Sequence, residues 1–206
     1  MMPVISWLRR RKPWQWQLLA HLAGLLPLLT TALALPGFAD PVADLSRASG
    51  ITALQLLLAS LLVRPVAQQW RLGPLLAARR PLGLWAFAWA AGHGLVWLLL
   101  DQQLQPGWLT ELLSRRHLQL GALSLLLLLP LALTSSRALQ RRLGRYWSWL
   151  HRSVYLIVVL AIAHLWLANK TLDLEQALYA ALAATLLLWR LPLSRWWQRR
   201  CQNRSG

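Results

Sequence analysis

Long apolar runs alternate with short basic clusters along most of the chain. Each run contains about 17 to 20 residues, which is enough for an α-helix to cross the hydrocarbon core of a bilayer, at the short end of the usual range. The runs lie at about residues 16–35, 50–67, 81–100, 117–134, 151–168 and 176–192. This pattern predicts an all-α integral membrane bundle of six transmembrane helices, with both termini on the same side of the membrane.

The basic residues concentrate in every second loop. The chain is 57% hydrophobic, yet it has 22 Lys and Arg against 6 Asp and Glu, for a formal net charge of +16. Most of these cations fall in four clusters, at 9–12, 64–80, 137–152 and 190–204. All six acids lie in the other loops. By the positive-inside rule the clustered side is cytoplasmic, so we expect both termini in the cytoplasm.

The distribution of the positive charge along the chain also indicates which partners to expect. Four separate juxtamembrane segments do not make the continuous basic face that nucleic acid needs, so we expect no nucleic-acid partner. Anionic headgroups of membrane lipids are the expected counter-charge. No polar run is long enough for a soluble domain, so we expect a multi-pass protein without a globular appendage.

The first apolar run has a second interpretation as a cleaved signal peptide. The basic stretch "RRRKPW" precedes "LLAHLAGLLPLLTTALALPGFA", which has the small residues of a cleavage site. His21, Gly24 and Pro27 interrupt the run, and five more apolar runs follow it. We therefore favour retention of this segment as the first transmembrane helix.

Two of the five histidines fall within predicted transmembrane helices at similar depth. His93 lies about seven residues from the outer end of the third run, and His164 about four from the outer end of the fifth. Ionisable side chains inside a bilayer are costly, so they are functional candidates. Two neutral imidazoles on facing helices are suited to the axial positions of one haem iron. Gly92 and Gly94 flank His93 and would let a flat macrocycle approach the helix.

The haem expected here is a non-covalent b type, since the chain has no C-x-x-C-H motif. An alternative stays open, in which each histidine only bonds a neighbouring helix as a polar bridge. A zinc site fits less well because no acid or cysteine lies inside a predicted helix. Cys201 is the only cysteine and falls in the basic tail.

The other three histidines lie elsewhere. His151 begins the fifth run, roughly 20 Å along the helix from His164, and an ideal helix would not point the two rings in one direction. His151 therefore does not share an iron with His164. It is a candidate for a second haem, an interfacial switch or a propionate contact, although Arg80 occupies the equivalent position of the third run. We place His21 in the inner half and expect His117 at the outer interface.

Four stretches carry a resemblance to a known family. They are "HLAGLLPLL" at 21–29, "DPVADLSRASGITALQLLLASLLVRPV" at 40–66, "RRPLGLWAFAWAAGH" at 79–93, and "RRLGRYWSWLHRSVYL" at 141–156 with His164 beyond it. Together they resemble the MsrQ (YedZ) family of haem-binding membrane subunits, itself similar to the ferric-reductase-like transmembrane domains. The resemblance covers about 16–192, so we treat 1–206 as one ferric-reductase-like transmembrane domain.

The resemblance implies an electron-transfer subunit of the bacterial inner membrane. Electrons would enter from the quinol pool or a cytosolic flavin reductase. They would leave to a periplasmic molybdenum-containing subunit, the partner in a heterodimer, which would itself reduce methionine sulfoxide in oxidised proteins. The family's haem-associated histidines fall on His93, His151 and His164, and FMN is also implied, without a site. Ferric reductases pair histidines at two depths, but Arg80 breaks that pattern, so we expect one haem and leave a second open.

Two other functions remain as alternatives from the sequence. One is a self-standing transmembrane reductase of ferric iron or a quinone that uses the same haem. The other is a cofactor-free membrane scaffold whose histidines only bridge helices. No G-x-G-x-x-G motif lies in a strand-turn-helix setting, so we expect the reducing equivalents to come from another molecule.

Overall fold

The structure, a computed structural model, describes residues 7–8, 10–169 and 173–190. Within these ranges the chain is helical and forms no strand, which confirms the predicted all-α class. The helices are α1 (Pro13–Ala34), α2 (Pro41–Gln69), α3 (Arg79–Val96), α4 (Trp108–Ser114), α5 (Arg116–Leu133), α6 (Arg137–Leu143), α7 (Arg145–Leu150), α8 (Val154–Ala168) and α9 (Leu174–Leu188). A π-helical turn, Trp97–Asp101, extends α3, and a 3₁₀ turn, His151–Ser153, joins α7 to α8. Cys201 and the basic tail lie outside the described residues.

Five helical segments have the length and composition of membrane spans. They are Pro13–Gly37, Pro41–Gln69, Gly73–Asp101, Arg116–Leu133 and Arg145–Ala168. The sixth expected span corresponds to Leu174–Leu188, which is apolar but has 15 residues. At 1.5 Å per residue this helix is about 22 Å long, against a hydrocarbon core of about 30 Å. Six crossings therefore stay a prediction.

The second helix begins well before the apolar run that predicted it. It starts at Pro41 and not near residue 50, because Asp40 caps it by accepting hydrogen bonds from the backbone N–H of Val42 (3.2 Å) and Ala43 (3.1 Å). Proline at the first helical position supports the same start, since that position needs no N–H donor. The extra turns place the polar residues Asp44, Ser46, Arg47 and Ser49 on the helix, where hydropathy alone did not predict them.

Four long helices form a closed ring, with the remaining elements packed outside it. Around the ring α2 packs on α3, α3 on α5, α5 on α8, and α8 on α2, so α3 and α8 lie diagonally opposite each other. Helix α9 covers the α2–α8 side, and α1 packs on α3 and α2. The largest fully buried side chains are Leu58 and Leu61 of α2 and Ile157 and Val158 of α8. Leucines such as Leu26 and Leu126 face outward, as lipid contact requires.

The two ends of this ring carry different chemistry. One end, the paired-histidine end, comprises Ser46, His93, His117, His164 and the residues around them. The opposite end, the arginine end, comprises Arg64, Arg79, His151, Arg190 and their neighbours. The helices run from one end to the other, so each contributes residues to both.

Candidate functional site

The imidazole rings of His93 and His164 meet inside the ring of helices. His93 is near the last turn of α3, and His164 is in the last two turns of α8, on the diagonally opposite helix. Their ring centroids are 6.0 Å apart and their planes make an angle of 73°. The structure thus brings together the two histidines that the sequence placed at similar depth.

Each of these rings is held by a hydrogen bond to a backbone carbonyl of the neighbouring helix. The Nδ1 of His93 lies 2.9 Å from the carbonyl oxygen of Ser46 and 3.4 Å from the Oγ of Ser49, both on α2. The Nδ1 of His164 lies 2.6 Å from the carbonyl oxygen of His117 on α5. A carbonyl oxygen only accepts, so Nδ1 must carry the proton in both rings. In a neutral ring this tautomer leaves the lone pair of Nε2 for a metal ion.

The pair fits haem by the chemistry of its nitrogens and by its spacing. A metal–imidazole bond of about 2.0 Å puts two rings that share one metal ion from opposite sides about 6 Å apart, centre to centre. The observed separation of 6.0 Å agrees with that value. The haem iron of electron-transfer cytochromes takes two axial protein ligands, and Nδ1–H···O=C bonds are the interactions that orient a ligating histidine. The described residues thus offer a suitable axial pair.

The glycines beside His93 differ in their surroundings. A Cβ added at Gly92 would meet nothing within 4 Å, so this side of the helix is open. A Cβ at Gly94 would lie 3.3 Å from Leu125 Cδ2, so that glycine lets α3 approach α5. Of the two positions that the sequence offered to a macrocycle, Gly92 is the open one.

His117 is a third ring at the same end. It is the second residue of α5, and its ring centroid lies 6.2 Å from that of His164, with a tilt of 35° between the planes. It is half-buried and lies beside Arg115, which pairs with Glu111. This position agrees with the interfacial placement expected from the sequence. Its contribution to the site is its backbone carbonyl, which the sequence did not single out.

His151 lies at the arginine end and has a different environment. It sits in the 3₁₀ turn between α7 and α8, where its ring stacks on Trp147 with 4.0 Å between centroids and 26° between planes. Its Nδ1 lies 3.1 Å from the carbonyl oxygen of Trp147. The structure does not bring His151 to the His93–His164 pair. The sequence-based separation of His151 from His164 therefore agrees with the described geometry.

Several arginine side chains lie near one another at the arginine end. Arg190 donates hydrogen bonds to the hydroxyl of Tyr155 and, at 3.1 Å, to the carbonyl oxygen of Leu61. The guanidinium of Arg79 lies within electrostatic range of those of Arg190 and Arg64. The Nε of Arg79 is buried and has no hydrogen-bond partner among the described residues. This end therefore favours anionic groups, whereas the paired-histidine end presents neutral nitrogens.

His21 has a structural contact that accounts for its position. Its Nδ1 accepts a hydrogen bond of 3.0 Å from the indole N–H of Trp85, which ties α1 to α3. The indole N–H of Trp89 donates to the carbonyl oxygen of Gly24 at 2.9 Å, one turn further along α1. A Cβ at Gly24 would lie 2.2 Å from the Trp85 ring, so only glycine permits this approach.

The chain is similar to known proteins over most of its length. Residues 49–162 match the model of the ferric reductase like transmembrane component. The protein-methionine-sulfoxide reductase heme-binding subunit MsrQ of Pectobacterium carotovorum is 44% identical over 188 residues, covering 89% of this chain and 94% of that protein. The MsrQ subunit of Klebsiella pneumoniae is 43% identical over 188 residues, with coverages of 89% and 93%. That of Salmonella paratyphi B is 44% identical over 184 residues, with coverages of 87% and 92%.

The chain belongs to the MsrQ family. This membership confirms the resemblance drawn from the four sequence stretches. It identifies a multi-pass membrane protein and, with the ferric-reductase-like domain, a haem-binding electron-transfer subunit. The family match includes His93, His117 and His151 and ends two residues before His164.

Proposed function

We propose that this MsrQ-family chain carries electrons through a haem b held by His93 and His164. The donor is the quinol pool or a cytosolic flavin reductase, and the acceptor is a periplasmic molybdenum methionine-sulfoxide reductase that repairs oxidised proteins. The observation that carries the proposal is the pair of imidazoles from diagonally opposite helices, with ring centroids 6.0 Å apart and both Nδ1 atoms bonded to backbone carbonyls. The names of the relatives support the same partner, since they describe a subunit of a methionine-sulfoxide reductase.

The residues of the site have separate tasks in this proposal. The haem supplies a one-electron change at its iron. His93 and His164 would hold the haem through their Nε2 atoms, and a haem with two protein ligands would supply electron transfer in preference to substrate oxidation. The carbonyls of Ser46 and His117 hold the imidazoles in the ligating tautomer. Because these bonds strengthen the ligand basicity of both rings, they also tune the potential.

We assign the paired-histidine end to the periplasmic side of the bacterial inner membrane. The acids and few cations of the loops lie at this end, and the arginine clusters lie at the other, which the positive-inside rule places in the cytoplasm. Both termini are then cytoplasmic, provided that Leu174–Leu188 and the residues after it complete a sixth crossing. The electrons would accordingly leave from the end that holds His93 and His164.

The periplasmic partner would dock on the loops at this end. These loops are at about 36–49, 101–116 and 169–175. Arg47 of α2 pairs with Glu175 of α9 at 3.4 Å, and Tyr179 donates to the same carboxylate at 3.0 Å. The helix α4 lies in the middle loop and exposes Leu109 and Leu113.

We propose one haem per chain, with His151 outside the ligand set. The arginine end offers an imidazole stacked on Trp147, and Arg80 takes the place of a second histidine. His151 could serve there as an entry-side contact for the donor. FMN, which the family resemblance also implied, stays a prediction without a located site.

The test uses the purified protein with its haem, reduced chemically and mixed with acceptors. We expect reduced protein to be reoxidised faster by the periplasmic methionine-sulfoxide reductase, supplied with a peptide methionine sulfoxide, than by ferric chelates or a soluble quinone. The opposite order would support a self-standing reductase. Absence of a Soret band after expression with ample haem would contradict both and support the cofactor-free scaffold.

A further inference from the structure

We propose that Gly50 and Gly121 are positioning residues that set the placement of the two axial imidazoles. The inference rests on the proposed function, because it concerns the histidines assigned there to the haem. Each glycine belongs to a three-part unit that the chain uses twice: a carbonyl acceptor, a glycine four residues later on the same helix, and a histidine on the next long helix of the ring.

The first unit joins α2 to α3. The carbonyl of Ser46 accepts from Nδ1 of His93 at 2.9 Å, across 47 residues of sequence. Gly50 lies one turn further along α2. A Cβ at this position would be 3.1 Å from Cε1, 3.2 Å from Nδ1 and 3.5 Å from Nε2 of His93, so the imidazole lies directly over the bare backbone.

The second unit joins α5 to α8 with the same spacing. The carbonyl of His117 accepts from Nδ1 of His164 at 2.6 Å, again across 47 residues. Gly121 lies one turn further along α5. A Cβ there would be 3.0 Å from both Cε1 and Nδ1 of His164 and 3.5 Å from its Cγ. The contacts of the two glycines are thus of the same kind, and those of Gly121 are slightly closer.

A methyl group added at either glycine would crowd the imidazole ring. Contacts of 3.0–3.2 Å are shorter than the 3.5–4.0 Å optimum of carbon pairs, so the ring would shift by a few tenths of an ångström. Such a shift strains the Nδ1–H···O=C bond on the preceding turn, since glycine and acceptor lie on one rigid helix. The Nε2 atom would then leave the position from which it binds iron.

The glycines of α3 show that small residues in these helices do not all serve this purpose. A Cβ at Gly83 meets nothing within 4 Å, and one at Gly94 meets a leucine. Glycine in a helix interior is unfavourable relative to alanine. At Gly50 and Gly121, unlike Gly83, the absence of a Cβ makes room for the ring of a proposed ligand.

The same numbering repeat extends to the arginine end, where the two corresponding positions carry different residues. The same shift in numbering that relates His93 to His164 relates Arg80 to His151. Both halves of the ring therefore build a histidine arm at the paired-histidine end, but only the second half has a histidine at the arginine end.

The experiment compares Gly50→Ala and Gly121→Ala with Gly83→Ala as the matched control. All are purified under identical haem supply, and the measurements are haem per chain and the EPR g-values of the oxidised iron, which report the relative orientation of the two imidazole planes. We expect roughly tenfold weaker haem binding in Gly121→Ala, a smaller loss in Gly50→Ala and shifted g-values in both, as for other changes beside metal ligands. Gly83→Ala should match the unmodified protein.

Unchanged haem content and unchanged g-values in both Gly50→Ala and Gly121→Ala would overturn the inference. If Gly121→Ala does not accumulate in the membrane, Gly50→Ala, with the milder contact, carries the test alone. Replacement of His93 or His164 by alanine separates this failure from that of the proposed function: haem retained without those imidazoles refutes the ligand assignment itself, whatever the glycine variants do.

Discussion

The paired-histidine end and the arginine end are built from the same ring helices, yet only one of them brings two histidines from different helices together. At the first, two imidazoles from diagonally opposite helices lie 6.0 Å apart, each bonded to a carbonyl of the helix beside it. At the second, His151 stacks on Trp147 within its own segment. The comparison shows that a histidine in a span becomes a metal-site candidate when a second one faces it at the same depth.

The two ends also differ in how their polar and charged groups are paired. At the paired-histidine end the imidazole of His93 bonds to a backbone carbonyl, and Arg47 pairs with Glu175. The arginine end brings Arg79 and Arg190 close together, and the Nε of Arg79 is buried without a partner in the described part of the chain. Buried cations need an anionic or polar counterpart. Lipid phosphate groups are suitable counterparts at a membrane surface.

The largest expected effect comes from removing one histidine at either end. We expect His93→Ala and His164→Ala each to lose the haem, because a single imidazole leaves the iron with one axial ligand. His151→Ala should keep the haem and its absorption spectrum, because this ring lies outside the pair. Haem per chain, measured by the Soret absorbance of the purified variants, checks both statements. Loss of haem in His151→Ala alone would mean that the haem depends on His151 and not on the His93–His164 pair.

A substitution in the core, between the two ends, should lower the stability of the fold without acting on one end more than on the other. Ile157 of α8 is fully buried, so Ile157→Ala should lower the free energy of unfolding by roughly 2–5 kcal/mol through lost contacts and a cavity. Leu126→Ala, on the exposed face of α5, is the control and should cost much less. Unfolding in detergent, followed by tryptophan fluorescence, gives both values. Equal losses of unfolding free energy in the two variants would mean that the α2–α8 contact is not the core of the fold.

At the arginine end we expect loss of stability without loss of haem. Arg190→Gln removes the hydrogen bonds to Tyr155 and to the carbonyl of Leu61, which together should contribute about 1–3 kcal/mol. The haem spectrum should not change, since neither partner touches the histidine pair. Arg152→Gln, an exposed cation at the same end, serves as the control. A spectral change in Arg190→Gln but not in Arg152→Gln would connect this end to the haem.

The smallest effect should come from the hydroxyl beside His93. Ser49 Oγ lies 3.4 Å from Nδ1 of His93, a weaker contact than the one to Ser46. Ser49→Ala should therefore shift the midpoint potential slightly and leave haem content intact, as expected for a neutral hydrogen bond of about 1 kcal/mol. Ser60→Ala, on the same helix, removes a bond to Leu57 and should not move the potential. A potentiometric titration of both variants distinguishes these outcomes.

Hydropathy and depth were enough to predict the helical class and the positions of His93 and His164 along the spans. Hydropathy missed the first turns of α2, because Ser46, Arg47 and Ser49 are polar there. The cap at Asp40 with Pro41 after it was the signal for the true start. The break at His151 was also missed, since an apolar run does not distinguish an α-helix from a 3₁₀ turn.

The contacts that orient the two rings could not be predicted from composition or periodicity. The acceptors are backbone carbonyls, which have no residue-type signature, and the glycines act across helices whose pairing the sequence does not state. The equal spacing of Ser46 to His93 and of His117 to His164 was a signal in the chain, but it becomes meaningful only when the ring of helices is known.

The central claim is that one iron is held between His93 and His164. The most direct test is the haem stoichiometry of the purified protein, with its oxidised EPR spectrum and the response of its reduced optical spectrum to carbon monoxide. The account predicts one haem per chain, a low-spin signal of two imidazole ligands, and no spectral shift with carbon monoxide, because both axial positions are filled. A high-spin signal, or a reduced spectrum that shifts with carbon monoxide, would contradict it.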